Sequence, residues 1–167
     1  VCDASRERAE QVARDCGVRE VANDALAVID RSDIDAVVIA SPDHTHAPLS
    51  IAAIRAGKQV LCEKPLSPSV AECQQVIDEE VRLGRRMVQL GFMRRFDPSY
   101  AEMKALLGAG EVGRAIMFHC QHRNVAAPAN FTGQMAISNS APHEFDIARF
   151  VLGSEVVGIS VFQPKGV

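Results

Sequence analysis

Two residues of the stretch "NSAPHEFD" have the types and spacing needed to remove a proton. Asn139 and His143 are four residues apart, which places both on one face of a helix if the first helical turn reaches Asn139. A histidine can take a proton from a hydroxyl group near neutral pH. The alternative is a purely structural pair, in which the Asn caps the helix and the His is half-buried.

A second candidate group is "CEKP", residues 62–65, where a charged pair directly follows an apolar strand. Pro65 restricts the backbone after Lys64, and the bond between them can be cis or trans. At the carboxyl end of a parallel strand, Lys64 would point into the crevice where ligands bind in such sheets. The alternative is an ordinary lysine in solvent.

The elements that must position these groups alternate between strand and helix over the first 92 residues. The run from Ala36 to Ala40 is apolar without alternation, which is typical of a strand covered on both faces. The rhythm predicts an α/β fold with a doubly wound, Rossmann-like parallel sheet and right-handed crossovers. The predicted strands lie at residues 1–3, 19–22, 33–41, 58–63 and 85–92.

The rhythm changes near residue 92, which divides the chain into predicted domains at 1–92 and 93–167. The second domain is predicted to be α+β, with strands at 114–123 and 155–163 and helices from Pro98 and from about residue 140. Both domains are expected to be partial. The first strand and glycine turn of the doubly wound sheet are missing before Asp3, and the last strand leaves an open edge.

"GAGEVG", residues 108–113, fits the G-x-G-x-x-G pattern of dinucleotide-binding loops, but its context is reversed. Such a loop joins a strand to a helix that receives the pyrophosphate at its N-terminus. Here Asp97 and Pro98 begin a helix that ends at the glycines, and an alternating segment follows. We therefore predict a helix C-cap and turn.

Two other places suit a nucleotide better. Asp3 ends a predicted strand, where an acidic residue bonds the adenosine ribose and repels the extra phosphate of NADP. A turn or helix cap explains Asp3 equally well, and Ser5 and Arg6 could bind that phosphate. "SPDHTH", residues 41–46, follows a buried strand. Its Pro42 and Asp43 suit a tight turn that could line the nicotinamide pocket, although turn chemistry alone also explains them.

Composition excludes several classes of function. The chain has 167 residues, a formal charge of −3 and no basic block, so nucleic acid is not an expected partner. No apolar run reaches membrane-spanning length and no signal peptide opens the chain, so no membrane partner is expected. Five cysteines without a C-x-x-C pair predict reduced thiols in the cytoplasm. The pairs His44/His46 and His119/His122 lack partners at zinc spacing, and no metal site is predicted.

The stretch "AVVIASPDHTHAPLSIAAIRAGKQVLCEKPLS" resembles the core of the Gfo/Idh/MocA oxidoreductase family. That family shares the pattern "TP-N-x-x-H … A-G-K-x-V-x-x-E-K-P", which here begins at Ser41 and ends at Pro65. The stretches "GFMRRFDPSY", "FHCQHRN" and "HEFDIARFVLG" are most similar to the inositol 2-dehydrogenases within the family. The resemblance covers nearly the whole chain, which is expected to be an internal fragment.

The resemblance implies an NAD-dependent oxidation of a secondary hydroxyl on a cyclic polyol, most of all myo-inositol, with NADP left open. Lys64 would bind the reacting hydroxyl and lower its pKa, and His143 would remove its proton. The implied cofactor-binding residues are Asp3, Ser41, Pro42, His46, Glu63 and Lys64. The implied substrate-binding residues are Met93, Arg94, His122 and Asn124. The family also implies a homo-oligomer, a dimer or a tetramer, formed by the full-length protein through the second, substrate-binding domain.

Asn139 departs from the inositol dehydrogenases, which have Asp four residues before the catalytic His. Asp would orient the imidazole and stabilise its charged form, whereas Asn can only orient it; in a serine protease the analogous change costs about 10⁴ in kcat. Pro142, just before His143, could also shift the start of the helix. Three alternatives stay open: a related sugar or sugar-acid dehydrogenase, a non-catalytic protein that binds nucleotide and polyol, and a fragment without function of its own.

Overall fold

The computed structural model describes residues 1–123, 125–126, 129 and 131–162. The chain divides into two compact units, Val1–Gly91 and Phe92–Val167. Within the described residues, no helix has both the length and the apolar character needed to cross a membrane.

The first unit is built on a parallel sheet of three strands in the order β1-β2-β3. The strands are β1 (Ala36–Ile39), β2 (Gln59–Cys62) and β3 (Val88–Leu90). Ala36 pairs with Gln59, and Val60 pairs with Val88. The predicted α/β fold with a parallel sheet is confirmed, and the three strands lie inside the predicted ranges.

Four helices accompany the sheet: α1 (Arg6–Cys16), α2 (Ala25–Ile29), α3 (His46–Arg55) and α4 (Val70–Leu83). Local residues set their ends. The Ser5 side chain accepts a hydrogen bond from the backbone of Arg8, and Gly17 ends α1 at a φ of +68°. Asp24 caps α2 in the same way.

Two serines, Ser67 and Ser69, set the start of α4. Ser69, not Ser67, is the N-cap, because its side chain accepts from the backbone N–H of Glu72. The Ser67 hydroxyl instead donates to the Glu72 carboxylate and accepts from the backbone N–H of Ser69. Ser67 therefore fastens the turn before the helix.

The two short strands predicted at 1–3 and 19–22 are reduced to one parallel bridge between Cys2 and Ala22. The backbone of Asp3 donates to the Ala22 carbonyl at 3.2 Å, and the backbone of Ala22 donates to the Val1 carbonyl at 2.9 Å. Asp3 thus follows directly on the paired residue, as the sequence predicts.

The core of the first unit lies between the sheet and α3. One cluster joins Ile39, Val60 and Cys62 of the sheet to Ala53, and a second joins Ile54 to residues of α4 and the start of β3. The opposite face of the sheet carries Val38, which is 73% exposed, so the prediction that β1 is covered on both faces was wrong for the described residues. An apolar run without alternation is compatible with burial of both faces of a strand, but it does not determine whether another element packs on each face.

Lys58 and Glu80 fix the edges of the sheet. The Lys58 ammonium donates to the carbonyls of Arg31 and Ile34, at 2.8 and 2.5 Å, just before β1. The Glu80 carboxylate accepts from the backbone N–H groups of Met87 and Val88 at 2.6 and 2.7 Å, at the start of β3. Both side chains satisfy backbone groups that the ladder leaves open.

The second unit contains helices α5 (Pro98–Gly108), α6 (Gly133–Met135) and α7 (Pro142–Leu152). Asp97 caps α5 and Pro98 is its first residue, as predicted. "GAGEVG" ends α5 and turns, with positive φ at Gly110 and Gly113, so the prediction of a helix end and turn is confirmed.

The strands predicted in the second unit are not formed in the described residues. Residues 114–123 and 155–162 have no strand hydrogen bonding, so these two predictions were wrong there. Alternation shows which side chains a strand would bury, but a strand is stabilised by the backbone of a neighbour. The pattern of these segments carries no information on that neighbour.

Candidate active site

The candidate residues of the first unit lie in two loops at the same edge of the sheet. One loop follows β1 and includes Ser41, and the other follows β2 and includes Lys64. Because β1 and β2 are parallel, both loops emerge at the carboxyl ends of their strands. Ligands of open parallel sheets bind in the crevice outside these ends.

A buried histidine lies between the two loops. His46 begins α3, and its side chain is only 1% exposed. Its Nδ1 atom lies 2.7 Å from the carbonyl oxygen of Pro65, and its Nε2 atom lies 2.7 Å from the carbonyl oxygen of Ser41. The ring therefore contacts the loop on each side of it through the backbone.

The loop after β1 is held by its own hydroxyl groups. Thr45 donates to the carbonyl of Pro42 at 2.7 Å, and its oxygen lies 2.5 Å from the Ser41 hydroxyl. Residues Asp43–Thr45 form a single 3-10 turn. The predicted tight turn is thus present, and it fixes Ser41 and Pro42 relative to the end of β1.

The loop after β2 begins inside the ladder. The backbone of Glu63 donates to the Ile39 carbonyl at 2.8 Å, and Gly91 donates to the Cys62 carbonyl at 2.7 Å. The bond between Lys64 and Pro65 is cis. Burial raises the pKa of the Cys62 thiol to about 11, so this thiol is neutral at physiological pH.

Asp3 contacts the start of α1. Its Oδ1 atom accepts from the backbone N–H of Ser5 at 2.7 Å and from the Arg8 guanidinium at 3.1 Å. The hydrogen bond from Ser5 is the main reason that the pKa of Asp3 is lowered, and Arg8 adds to it. These are the contacts of a turn residue, which is one of the two roles that the sequence allows, and they introduce a cation that sequence reasoning missed.

In the second unit, two of the predicted substrate residues meet at one carboxylate. The Arg94 Nη1 atom lies 2.6 Å from Glu144 Oε1, and the Nδ1 atom of His122 lies 3.0 Å from the same oxygen. Burial opposes the charged form of Glu144, but hydrogen bonds from Arg94 and His122 outweigh it and lower its pKa. Glu144 Oε2 is buried and has no hydrogen-bond partner among the described residues.

Sequence reasoning missed Glu144, although a signal for it exists. Glu144 and Asp146 are acidic residues within the mostly apolar helix α7, and Arg94 and Arg95 are adjacent basic residues in the turn Met93–Phe96. The structure pairs them in order: Arg95 contacts Asp146 as Arg94 contacts Glu144. The matched charges could have predicted both ion pairs.

His143 is the second residue of α7, in its first turn, as predicted. Its ring lies edge-on to Phe92, with 6.5 Å between the ring centroids. Asn139 lies before the helix, in a π-helical turn (Ala136–Ser140), so it is neither in the first turn nor its cap. The cap position belongs to Ala141, because Pro142, which has no N–H, starts the helix.

Met93 is 65% exposed on the turn that also carries Arg94. Asn124 lies outside the described residues. In the described part of the chain, no three His, Cys, Asp or Glu side chains form a group that could hold a metal ion.

Family comparisons agree with this arrangement. Residues 1–92 match the family model described as "Oxidoreductase family, NAD-binding Rossmann fold" of the Gfo/Idh/MocA group, and residues 100–165 match the "GFO/IDH/MocA C-terminal domain". The chain is 52% identical to inositol 2-dehydrogenase 4 of Saccharopolyspora erythraea, over 99% of this chain and 49% of that protein. It is 42% identical to an inositol 2-dehydrogenase of Streptomyces avermitilis, over 99% of this chain and 48% of that protein.

The solved structures with a similar fold also include inositol dehydrogenases. The fold is similar to that of myo-inositol dehydrogenase from Lactobacillus casei in complex with NAD(H) and myo-inositol, with a TM-score of 0.85 and 29% identity, over 92% of this chain and 45% of that one. A putative myo-inositol dehydrogenase from Sinorhizobium meliloti has a TM-score of 0.74 and 28% identity, over 93% and 47%. The chain spans about half the length of the curated relatives it matches.

Proposed function

Since the chain belongs to the Gfo/Idh/MocA oxidoreductase family, we propose that it is part of an NAD-dependent dehydrogenase of a cyclic polyol, with myo-inositol as the first substrate to test. The observation that carries the proposal is the 52% identity to an inositol 2-dehydrogenase along nearly the whole chain. The meeting of Arg94 and His122 at Glu144 supports it, because these side chains offer several hydrogen-bonding groups to a polyol.

The residues of the first unit suit a nicotinamide cofactor. The loops after β1 and β2 leave the sheet at its carboxyl edge, and their backbones are held by Thr45, His46 and the ladder at Glu63. Asp3 would bind the adenosine ribose, and Ser41, Pro42 and Glu63 would border the cofactor. NAD supplies a hydride acceptor when bound.

The proposed chemistry divides between two side chains. Lys64 would donate a hydrogen bond to the reacting hydroxyl and stabilise the alkoxide that develops on it. His143 would take the hydroxyl proton while the hydride leaves the carbon, so that the alcohol becomes a ketone. Asn139 would act next to His143, and Met93, Arg94, His122 and Asn124 would hold the other hydroxyls.

Two alternatives have a specific feature in their favour. Asn139 in place of the expected Asp favours a weak enzyme or a non-catalytic protein that binds nucleotide and polyol. The Arg8 cation beside Asp3 favours some tolerance of NADP, because a guanidinium can pair with its extra phosphate. A related sugar or sugar-acid dehydrogenase is the remaining enzyme candidate.

Three further proposals concern the whole protein. The boundary between a cofactor domain and a substrate domain would lie near residue 92, as the two compact units suggest. The full-length protein would be a homo-oligomer, a dimer or a tetramer. All five cysteines are free thiols, which fits a location in the reducing cytoplasm.

The test follows nicotinamide reduction by the full-length protein with myo-inositol, using NAD and NADP in parallel. We expect turnover with NAD that Lys64→Ala lowers by about 10²–10⁴-fold, the range of a positioned catalytic group. Asn139→Asp should raise kcat if the missing carboxylate limits the rate. Binding of NAD without turnover of myo-inositol, other polyols or sugars by either protein would refute the dehydrogenase and favour the binding role.

A further inference from the structure

His46 makes two contacts that a neutral imidazole cannot satisfy together. Each ring nitrogen lies 2.7 Å from a backbone carbonyl oxygen, that of Pro65 or that of Ser41. A carbonyl oxygen only accepts hydrogen bonds, and a neutral imidazole carries one N–H. Both contacts are hydrogen bonds only when both nitrogens are protonated.

We propose that His46 is a positioning residue that, as an imidazolium, donates one hydrogen bond to each of the loops after β1 and β2 and so fixes the two loops relative to each other. The inference rests on the proposed function, since these loops carry Ser41, Pro42 and Lys64. Its role is indirect, because a ring that is 1% exposed does not reach a ligand. This differs from the direct cofactor contact that the family resemblance implies for His46.

The positions of the two carbonyl groups that His46 contacts explain why it matters for the proposed site. Pro65 directly follows Lys64, so a hydrogen bond to its carbonyl oxygen holds the loop next to the lysine. The Ser41 hydroxyl is also hydrogen-bonded to the Thr45 hydroxyl, and Thr45 donates to the carbonyl of Pro42. Loss of one hydrogen bond to His46 would therefore change the separation of the two loops that flank the proposed cofactor site.

The charged and titratable groups of the neighbouring segments are few. The turn after β1 carries Asp43 and His44, and the loop after β2 carries Glu63 and Lys64. On β2 itself, the Cys62 thiol has a pKa raised to about 11 by burial and is neutral at physiological pH. On the side of α4, the Glu72 carboxylate is engaged by the Ser67 hydroxyl.

The first measurement concerns the protonation of the ring and needs no activity. Nitrogen NMR of the full-length protein labelled with ¹⁵N-histidine, at pH 7.5, distinguishes a ring with two N–H groups from a ring with one. The His46→Gln spectrum assigns the signal, and His44→Gln, an exposed neighbour in the same turn, is the control. We expect two protonated nitrogens for His46; a single protonated nitrogen would overturn the proposal.

The second measurement concerns position. Glutamine can donate toward only one of the two carbonyls while its own oxygen faces the other. We expect His46→Gln to lower kcat with NAD by about 10–100-fold, the size of effect that a displacement of about 1 Å produces, while His44→Gln stays within about twofold. Equal activity of the two variants would refute the positioning role.

Failure of the proposed function gives a different result. If the unchanged protein turns over no polyol or sugar, the dehydrogenase proposal fails, and NAD affinity replaces kcat as the readout. His46→Gln should then weaken NAD binding relative to His44→Gln, and equal affinities would refute the role of His46. A His46→Gln protein that does not fold leaves the nitrogen spectrum of the unchanged protein, read against His44→Gln and the other single-histidine variants, as the deciding result.

Discussion

The two compact units hold their candidate site residues by different interactions. In the first unit, the loops start at paired strands and rest on buried apolar clusters, so the backbone positions Ser41 and Lys64. In the second unit, Arg94 is positioned by an ion pair with Glu144, and the adjacent Arg95 by an ion pair with Asp146. Buried apolar residues are present there as well, at Ile147 and Val151 of α7.

This difference indicates where each unit is vulnerable. Apolar burial is non-directional and changes little with pH, whereas a buried carboxylate depends on one partner and on its own ionisation. We therefore expect the first unit to be most sensitive to loss of side-chain volume, and the second to loss of charge. Hydrogen exchange followed by peptide mass spectrometry measures the two responses separately in one protein.

The largest expected change in stability is in the core of the first unit. Met87, 2% exposed, packs with Ile54 and Val76. Met87→Ala should lower the local free energy of unfolding by about 2–5 kcal/mol, because it removes buried volume and leaves a cavity. The measurement is the loss of exchange protection in α3 and α4. The matched control is Met117→Ala, at an 84% exposed position, which should change stability by less than about 0.5 kcal/mol.

Equal losses of protection in α4 for both methionine variants would contradict the apolar side of the comparison. The same would be true if Met87→Ala left α4 protected.

The next largest effect is expected at the ion pair between Arg95 and Asp146 in the second unit. Asp146 is 3% exposed and accepts from the Arg95 guanidinium, and Arg95 also lies over the Phe150 ring. Breaking a buried pair costs about 3–5 kcal/mol. Since the Arg95 side chain is 37% exposed and can be hydrated, we expect about 2–3 kcal/mol for Asp146→Asn, read as lost protection in α7.

Glu155→Gln is the control for this prediction. It breaks the pair between Arg149 of α7 and Glu155, which follows the helix, and these two side chains are 44% and 75% exposed. Such exposed pairs contribute about 0–1 kcal/mol. A loss as large as that of Asp146→Asn would show that burial does not decide the strength of these pairs.

The parts of the fold that the sequence predicts are those decided by local chemistry. Asp97 caps α5 as expected, because a capping side chain bonds to the backbone two or three residues later. Ser5 and Asp24 cap α1 and α2 by the same local chemistry. The parallel sheet follows from the alternation of strands and helices. The strands predicted at 114–123 and 155–163 were wrong in the described residues, because a strand needs the backbone of a partner that is distant in sequence.

The candidate site shows the same limit. The positions of Lys64 after β2 and His143 in the first turn of α7 were predictable, since both follow from element boundaries. The paired charges at 94–95 and at 144 and 146 also gave a signal for Glu144, which sequence reasoning missed. The burial of His46 was not predictable, because it depends on a contact between residues 19 positions apart. No local pattern reports a contact of that kind.

The third prediction concerns the substrate side of the second unit. Glu144→Gln removes the charge that holds both Arg94 and His122. We expect KM for the polyol to rise by about tenfold, equivalent to about 1.4 kcal/mol, with a smaller change in kcat, since Glu144 is not proposed to touch the reacting atoms. Glu102→Gln, an exposed residue of α5, is the control. An unchanged KM for the polyol would show that Glu144 does not contribute to substrate binding.

Glu144 also predicts a pH dependence in the second unit. Its pKa is lowered in the folded chain, so its contribution to stability is complete well above the ordinary glutamate pKa of about 4.3. The contribution is lost as the pH falls through the lowered folded-state pKa. Protection of α7 should therefore decline below about pH 4 in the unchanged protein, and Glu144→Gln should flatten that decline. The same decline of α7 protection with pH in both proteins would show that Glu144 is not its cause.

The smallest expected effect tests whether the backbone of the first unit alone positions its loops. A Cβ atom at Gly91 would lie 3.2 Å from Cδ and both carboxylate oxygens of Glu63. Since the φ of Gly91 is not positive, Gly91→Ala should change stability by less than about 1 kcal/mol, and it should displace the Glu63 side chain by a few tenths of an ångström.

If Glu63 borders the cofactor, Gly91→Ala should raise KM for NAD by about two- to fivefold while KM for the polyol is unchanged, which corresponds to less than about 1 kcal/mol. Gly108→Ala is the matched control, because nothing lies within 4 Å of its added Cβ. A rise in KM for NAD shared by both variants would show that the contact with Glu63 is not the cause. If KM for NAD rises in neither variant, the backbone of the loop, and not the Glu63 side chain, determines how the first unit binds the cofactor.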